Sequence, residues 1–428
     1  MSLKNLINKK KAIIGIIGLG YVGLPLSLLV KKKGFEVFGF DENKKKIENI
    51  KKNISPILDI DREKIKILNK KNLYTLENIN RINDCDLIII CLPTPLTKNN
   101  NPDMSFLKIC LKQISKHIRK NQLLIVESTV YPGATKKIFT KYLEKRYNLG
   151  NDFFLGYSPE RVNPASKGKI KYADITKVVS GYSKKCLSLA SLFYRKVFKK
   201  IYKTKNIETA EFSKLYENSY RAVNISLSNE MKMVCDKFNL NIYDVINASR
   251  TKPFGFTSFL PGPGMGGHCI PIDPLFISWA AKNKGIEANF IENSRKINLK
   301  ITNWIIKKIE KNLKYKNKKL LILGVAYKKN INDARESPAI KILNYFTKSN
   351  KNIKYHDPYI NSIIINNKKM KSLKKLSYNS LKLFDAIIIC TDHDVYDFKK
   401  IIKKSNMVFD TRGVMRNANF KDKKYIVC

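Results

Sequence analysis

A chain of 428 residues exceeds what one hydrophobic core normally spans, and a prior of about 150 residues per domain points to two or three domains. Its 43% hydrophobic and 10% aromatic residues exclude a disordered chain, and its longest apolar runs, such as 12–17 and 87–92, are far short of the roughly 20 residues a membrane helix needs. The net charge of +47 would suit a polyanion partner, yet only twelve of the 82 basic residues are Arg and Lys crowds every segment, so compositional drift is the reading and neither nucleic acid nor membrane is expected as a partner.

The N-terminal Lys-rich stretch leads into a glycine pattern rather than a signal-peptide core, and a cytoplasmic location is expected. Residues 13–17 (IIGII) predict a strand, followed at once by Gly18-Leu19-Gly20-Tyr21-Val22-Gly23, an apolar helix to Val30, and a second strand ending at Asp41. That is one βαβ unit of about 30 residues carrying G-x-G-x-x-G and a trailing acid. Gly18 suits the tight turn, Gly20 the close approach of backbone to a pyrophosphate, and Gly23 the packing of helix on sheet. Asp41 suits the ribose hydroxyls of NAD and disfavours a 2′-phosphate. Strands predicted at 86–92, 122–127 and 153–157 extend this into a parallel, doubly wound α/β sheet.

From 205 to 250 the spacing of apolar residues turns helical, with Glu211, Lys214 and Asn218 on one face. A Gly/Pro-rich loop fills 253–274, and helix resumes to about 312. New strands are predicted at 320–323, 353–356, 386–390 and 406–409, with the low-complexity tract 361–375 as a surface excursion. The expected division is an NAD-binding Rossmann-like domain at 1–204, a central long-helix domain at 205–314, and a smaller Rossmann-like α/β domain at 315–428.

The eight cysteines form no CxxC pair and no zinc-like cluster with the histidines, so no metal is expected. Cys85, Cys91 and Cys390 adjoin strand-like runs and suit a core. Cys269 does not. It lies in PGPGMGGHCIPID (261–273), where glycines let a ligand approach, prolines stiffen the loop, and Asp273 follows four residues on. This pattern fits a nucleophile better than a packing cysteine.

Taken together, eight motifs resemble the UDP-glucose/GDP-mannose dehydrogenase family over nearly the whole chain. They are IGIIGLGYVGLPL (14–26, with Ile13 before it), LPTPL with PDMS (92–105), ESTVYPGATKK (127–137), GYSPERVNP (156–164), AEFSKLYENSYRAVNISLSNE (210–230), PGPGMGGHCIPIDP (261–274), GVAYKKNINDARESPA (324–339) and DTRGV (410–414). The resemblance implies a C-terminal UDP-sugar-binding domain and oxidation of a sugar C6 alcohol to a carboxylate with two NAD. It makes Cys269 the thiol nucleophile, Lys214 and Asn218 the oxyanion and alcohol pair, and Asp273 the aid to proton and water chemistry. It makes Glu160 the acid handling the thioester, and Thr129 the hydroxyl near nicotinamide and water. Val22, Asp41, Lys46, Thr94, Thr129 and Arg335 match cofactor-side positions. Gly266, Gly267, Lys328 and Arg250, with Glu160, Lys214 and Asn218, match the substrate side.

The loop TKPFGFTSFLPGPGMGGHCIPIDP, with His268 before the cysteine, looks most like enzymes that oxidise UDP-N-acetylglucosamine; the galacto and manno epimers and UDP-glucose are the alternatives. Ala165 after SPERVNP and Asn293-Ser294-Arg295 depart from the family pattern. The family's habit also implies a homodimer or higher homo-oligomer and a role in capsule or O-antigen precursor supply. A β-hydroxyacid dehydrogenase would need neither the cysteine nor a third domain. A nucleic-acid-binding relative of the fold would not be expected to keep every catalytic position filled.

Overall fold

The computed structural model describes residues 1–57, 60–162, 171–313, 318–349, 352–417 and 422–428. They have the expected three-part α/β architecture: a Rossmann-like domain, long central helices, and a second α/β domain. By packing they form two compact units, Met1–Glu217 with Leu275–Ile286, and Asn218–Pro274 with Glu287–Cys428.

The first unit is built on eight strands: β1 (Ile13–Ile17), β2 (Glu36–Asp41), β3 (Leu73–Thr75), β4 (Leu87–Ile90), β5 (Leu123–Val126), β6 (Phe154–Tyr157), β7 (Lys177–Gly181) and β8 (Ile201–Lys203). Their order is β3-β2-β1-β4-β5-β6-β7-β8. The runs LIII of β4 and LLIV of β5 are buried throughout, as strands covered on both faces must be. The order reverses between β1 and β4, and doubly wound sheets bind ligands beyond the carboxyl ends of strands at such a point.

One pairing is antiparallel. Tyr157 of β6 lies opposite Ser180 of β7. Continuing that register past Tyr157 brings Lys177, the first residue of β7, level with Glu160. Val126 of β5 pairs with Tyr157 in parallel, so Glu127 leaves the sheet at the same edge. The reversed strand thus delivers a lysine to an edge where two forward strands deliver carboxylates.

The helix Ile207–Lys237 spans 31 residues and is followed by Ile242–Ser249. Helices Asp273–Lys282 and Asn289–Leu313 come after the Gly/Pro loop. In the second unit, β9 (Leu320–Leu323), β10 (Ile353–His356), β13 (Ala386–Ile389), β14 (Val408–Asp410) and β15 (Tyr425–Val427) form an all-parallel sheet ordered β10-β9-β13-β14-β15. The tract read as a low-complexity surface excursion holds an antiparallel hairpin, β11 (Ser362–Ile365) and β12 (Lys368–Lys371). Asn366 and Asn367, with φ of 48° and 61°, make its turn, and Asn tolerates that left-handed region better than most residues.

Candidate active site

In the first unit Gly18, Gly20, Val22, Gly23, Asp41 and Lys46 lie at or just beyond the carboxyl ends of β1 and β2. A Cβ on Gly23 would lie 1.8 Å from the Gly18 carbonyl oxygen, whereas one on Gly20 would meet nothing within 4 Å. Gly23 is therefore demanded by packing, and Gly20 leaves open room beside the backbone. No side chain caps the helix Gly23–Lys32 that starts there, so its N-terminal dipole faces that room. The donor set and the space fit the pyrophosphate of NAD.

Asp41 is buried and already engaged. Its carboxylate accepts the backbone N–H of Leu19 at 2.8 Å and of Asn43 at 3.0 Å, and the Lys46 ammonium at 2.7 Å. Asp41 thus closes the glycine turn onto β2, and Lys46 neutralises it. Val22 occupies the N-cap position of the helix without a side-chain cap bond; Thr94 and Thr129 are half-buried in the segments after β4 and β5.

Glu211 lies on the long helix, one turn before Lys214, and is fully buried. Its carboxylate accepts the backbone N–H of Gly133 at 2.5 Å and of Thr135 at 2.9 Å, capping the helix Ala134–Leu143 just beyond Thr129. Burial is the largest influence on this carboxyl, raising it to about 7 against the lowering by Thr135 and Gly133. Lys214 is half-buried.

Glu160 accepts the N–H groups of Arg161 and Val162, each at 2.6 Å, and the Tyr172 hydroxyl at 2.5 Å. The Lys177 ammonium stands 3.5 Å from Glu160 and 2.8 Å from Glu127. Glu127 also accepts the Tyr194 hydroxyl. Burial pushes Glu160 up, but Lys177, Tyr172 and the two N–H groups outweigh it, and the net direction is down. Burial dominates at Glu127 and raises it despite Lys177. The sequence motifs single out Glu160 but not Lys177 or Glu127. The available signal was a lysine heading an apolar strand run, which a soluble sheet rarely buries without a partner.

In the second unit, Cys269 is half-buried and opens a helical turn. Its carbonyl accepts the N–H of Ile272 at 3.0 Å and of Asp273 at 2.8 Å. Asp273 is buried, and Asn218 donates to its carboxylate across 2.5 Å. The loop before the cysteine is fixed at several points. Asn229 accepts from the N–H of Gly262 at 2.9 Å, Thr302 donates to the Pro263 carbonyl at 2.7 Å, and Asn298 brackets Met265. Gly266 and Gly267 lie against Tyr327, where any Cβ would approach within 2.8 Å, and the Gly267 N–H donates to the Arg335 carbonyl at 2.9 Å.

His268 is 31% exposed at its side chain and lies 3.5 Å from Asp333 and 3.0 Å from an Arg335 nitrogen. Hydrogen bonding to Asp333, then to Cys269, raises the imidazole to about 9, opposed by burial and by Arg335. Asp333 and the thiol together favour the protonated ring, and Arg335 opposes it. Arg335, exposed, spends its guanidinium on Asp333 at 2.6 to 3.1 Å. Lys328 is half-buried in the segment after β9, and Arg250 is exposed at the end of the helix Ile242–Ser249.

A further relay holds that segment after β9. Asp357 accepts the N–H groups of Val325 at 2.7 Å and Ala326 at 3.0 Å. His393 Nδ1 accepts the Asn330 N–H at 2.9 Å, so its hydrogen sits on Nε2, aimed at Asp357 3.2 Å away. Asp357 follows β10 as Asp41 ends β2, each acid tying down the turn after the neighbouring strand. The second sheet also reverses its strand order at β9 and β13, beside this relay.

Three family models match consecutive stretches: the NAD binding domain of the UDP-glucose/GDP-mannose dehydrogenase family at 12–204, its central domain at 208–300, and its UDP binding domain at 321–417. The chain is 33% identical to Protein CapL of Staphylococcus aureus over 94% of its own length and 96% of that protein's. It is 32% identical to a UDP-N-acetyl-D-mannosamine dehydrogenase of Pyrococcus horikoshii, covering 94% and 96%, and a solved UDP-D-ManNAc dehydrogenase structure from that organism matches with a TM-score of 0.85, 28% identity and coverage of 97% and 98%. It is 29% identical to a UDP-N-acetyl-D-glucosamine 6-dehydrogenase of Pseudomonas aeruginosa over 94% of its length and 97% of that protein's. With its glycine turn, NAD and UDP binding domains and full-length relatives, the chain belongs to the UDP-glucose/GDP-mannose dehydrogenase family and is an NAD-dependent UDP-sugar dehydrogenase.

Proposed function

We propose that the protein oxidises the C6 hydroxymethyl of a UDP-N-acetylhexosamine to the carboxylate through an acyl group held on Cys269. The observation that carries this is the turn Cys269–Asp273, stiffened by its loop and fastened by Asn218 to the central helix. A thiol so held, with the His268 ring beside it, is built for attack rather than packing.

NAD supplies the hydride acceptor in both oxidations. Cys269 sulfur adds to the C6 aldehyde as a thiohemiacetal, whose oxidation leaves a thioester. Lys214 and Asn218, one turn apart on the same helix, are assigned to the oxygen that gains charge as the thiol adds. Glu160 is assigned to the water that hydrolyses the thioester, with Thr129 and Asp273 ordering that water and its proton. Gly266, Gly267, Lys328 and Arg250 are assigned to the substrate. Thr94, Val22, Lys46 and Arg335 are assigned to the cofactor side.

For the sugar, the loop TKPFGFTSFLPGPGMGGHCIPIDP supports the gluco epimer, UDP-N-acetylglucosamine. The manno epimer is the second reading, favoured by relatives of 31 to 33% identity that bear that activity in their names, against 29% for the glucosamine enzymes. The test is NADH formation with UDP-GlcNAc, UDP-ManNAc, UDP-GalNAc and UDP-glucose. Two NADH per UDP-GlcNAc, lost in Cys269→Ser, is the expected result. Two per UDP-ManNAc would change the epimer. One NADH per sugar with any substrate would remove the acyl route.

A further inference from the structure

Lys177 is 4% exposed at its side chain, and no ordinary surface role accounts for it. Its ammonium lies 2.8 Å from Glu127 Oε2, 3.5 Å from Glu160 Oε2 and 3.4 Å from the Pro159 carbonyl. The aromatic rings of Tyr194 and Phe198 face it at 5.4 and 5.3 Å. Burying such a charge is costly unless it is paired, so one carboxylate would have sufficed. Two are present.

We propose that Lys177 and Glu127 are positioning residues for Glu160 in hydrolysis of the acyl group on Cys269: Lys177 holds Glu160 in place and ionised, and Glu127 anchors Lys177. This rests on the assignment of Glu160 to that step. In it, a water oxygen bonds to the thioester carbon while Glu160 takes one proton from that water; the C–S bond then breaks, sulfur leaves as thiolate, and the sugar keeps both oxygens as a carboxylic acid that gives its remaining proton to the thiolate or to bulk water. A Glu160 already protonated is far too weak a base to take that proton.

The geometry gives each neighbour a separate task. Arg161 and Val162 N–H groups fix one carboxylate oxygen, and Tyr172 and Lys177 meet the other. Glu127, clamped by Tyr194, anchors the lysine from the far side. The other ionisable groups nearby are Cys91 at the end of β4, whose thiol is raised first by burial and then by Glu127, and the ion pair of Arg161 with Glu217 at 2.6 Å. Lys177 is the one cation that meets Glu160 with its side chain among the described residues. Removing it leaves burial to act on Glu160 with one less opposing charge; removing Glu127 takes away a competing anion.

The two neighbours therefore act in opposite directions. Acyl-enzyme on Cys269 is measured by mass spectrometry after acid quench, alongside turnover, from pH 5 to pH 10 in the full-length protein. Lys177→Met is expected to slow hydrolysis about 100-fold near neutral pH, with acyl-enzyme accumulating, and to move the rising limb of the profile up by about one to two pH units. Glu127→Gln moves that limb down. Lys177→Arg stays within about fivefold of wild type. Should Lys177→Met fail to fold, the Lys177→Met/Glu127→Gln double variant removes the unbalanced anion, and its limb must lie above that of Glu127→Gln alone.

Glu160→Gln is the reference. If it accumulates acyl-enzyme at every pH while the lysine variants hydrolyse with the wild-type profile, the inference on Lys177 and Glu127 is overturned and the role of Glu160 stands. If Glu160→Gln itself hydrolyses normally, the assignment of Glu160 fails, and the inference with it.

Discussion

Asn218 donates to Asp273 across 2.5 Å, and through that bond the central helix holds the turn that begins at Cys269. The carboxylate is buried, so its hydrogen-bond partners fix its place. A hydrogen bond to a buried charged group stabilises more than a neutral one, and losing it exposes the desolvation cost of the acid.

Asn218→Ala is accordingly expected to cost about 1 to 3 kcal/mol of stability and at least about 100-fold in kcat. Asn218→Asp should be worse in stability, because it sets a second carboxylate against the first. Thermal melts and turnover on the preferred UDP-sugar decide this. An alanine variant with normal stability and kcat would show that the bond does not hold the turn.

How much of this was legible in the sequence depended on how local the signal was. The turn Gly18–Gly23, its flanking strands and Asp41 follow from spacing alone, because each glycine answers to atoms within the same βαβ unit. Cys269 stood out because its loop has no periodicity to explain it. The buried lysine of β7 was not legible: its meaning comes from an antiparallel pairing with β6, set by residues about twenty positions away. The hairpin at 362–371 was hidden by low complexity, which obscured an alternating strand pattern and an Asn-Asn turn. Helical spacing put Glu211 on a face with Lys214 and Asn218, and only tertiary packing puts it over the N-terminus of another helix.

That burial makes Glu211 a pH-dependent element of the first unit. Its carboxyl is raised from 4.5 to about 7, so the folded state holds the proton more tightly than the unfolded chain does. The contribution is full below about pH 4.5 and is lost as pH rises through about 7. Wild type should lose up to about 3 kcal/mol across that window relative to Glu211→Gln, which cannot ionise. Denaturant titrations of both proteins at pH 4.5 to 8 read the difference. Parallel curves would mean that Glu211 stays ionised throughout.

His393 and Asp357 predict a division of effects between the two ligands. His393→Ala removes the acceptor for Asn330 and the donor to Asp357, loosening the segment 325–330 that contains Lys328. The KM for the UDP-sugar should rise about tenfold, with the KM for NAD unchanged and a stability loss of about 2 to 4 kcal/mol. Initial-rate kinetics with each ligand varied in turn provide the check. Equal increases in both KM values would point to general unfolding instead of a loosened UDP-side segment.

The glycine turn offers the sharpest contrast, because two adjacent requirements have different causes. Gly23→Ala forces a Cβ to 1.8 Å from the Gly18 oxygen, which the fold cannot accommodate without moving backbone. It should lower stability by about 3 kcal/mol or more and reduce soluble expression. Gly20→Ala meets no protein atom within 4 Å, so the apoprotein should melt within about 2 °C of wild type. Its methyl would occupy the room beside the helix N-terminus, and the affinity for NAD should fall about tenfold or more. Titrating NAD into both folded proteins by calorimetry separates the two effects. If Gly20→Ala bound NAD as wild type does, the open space beside it would not be where the pyrophosphate lies, and the glycine turn would owe its sequence to packing alone.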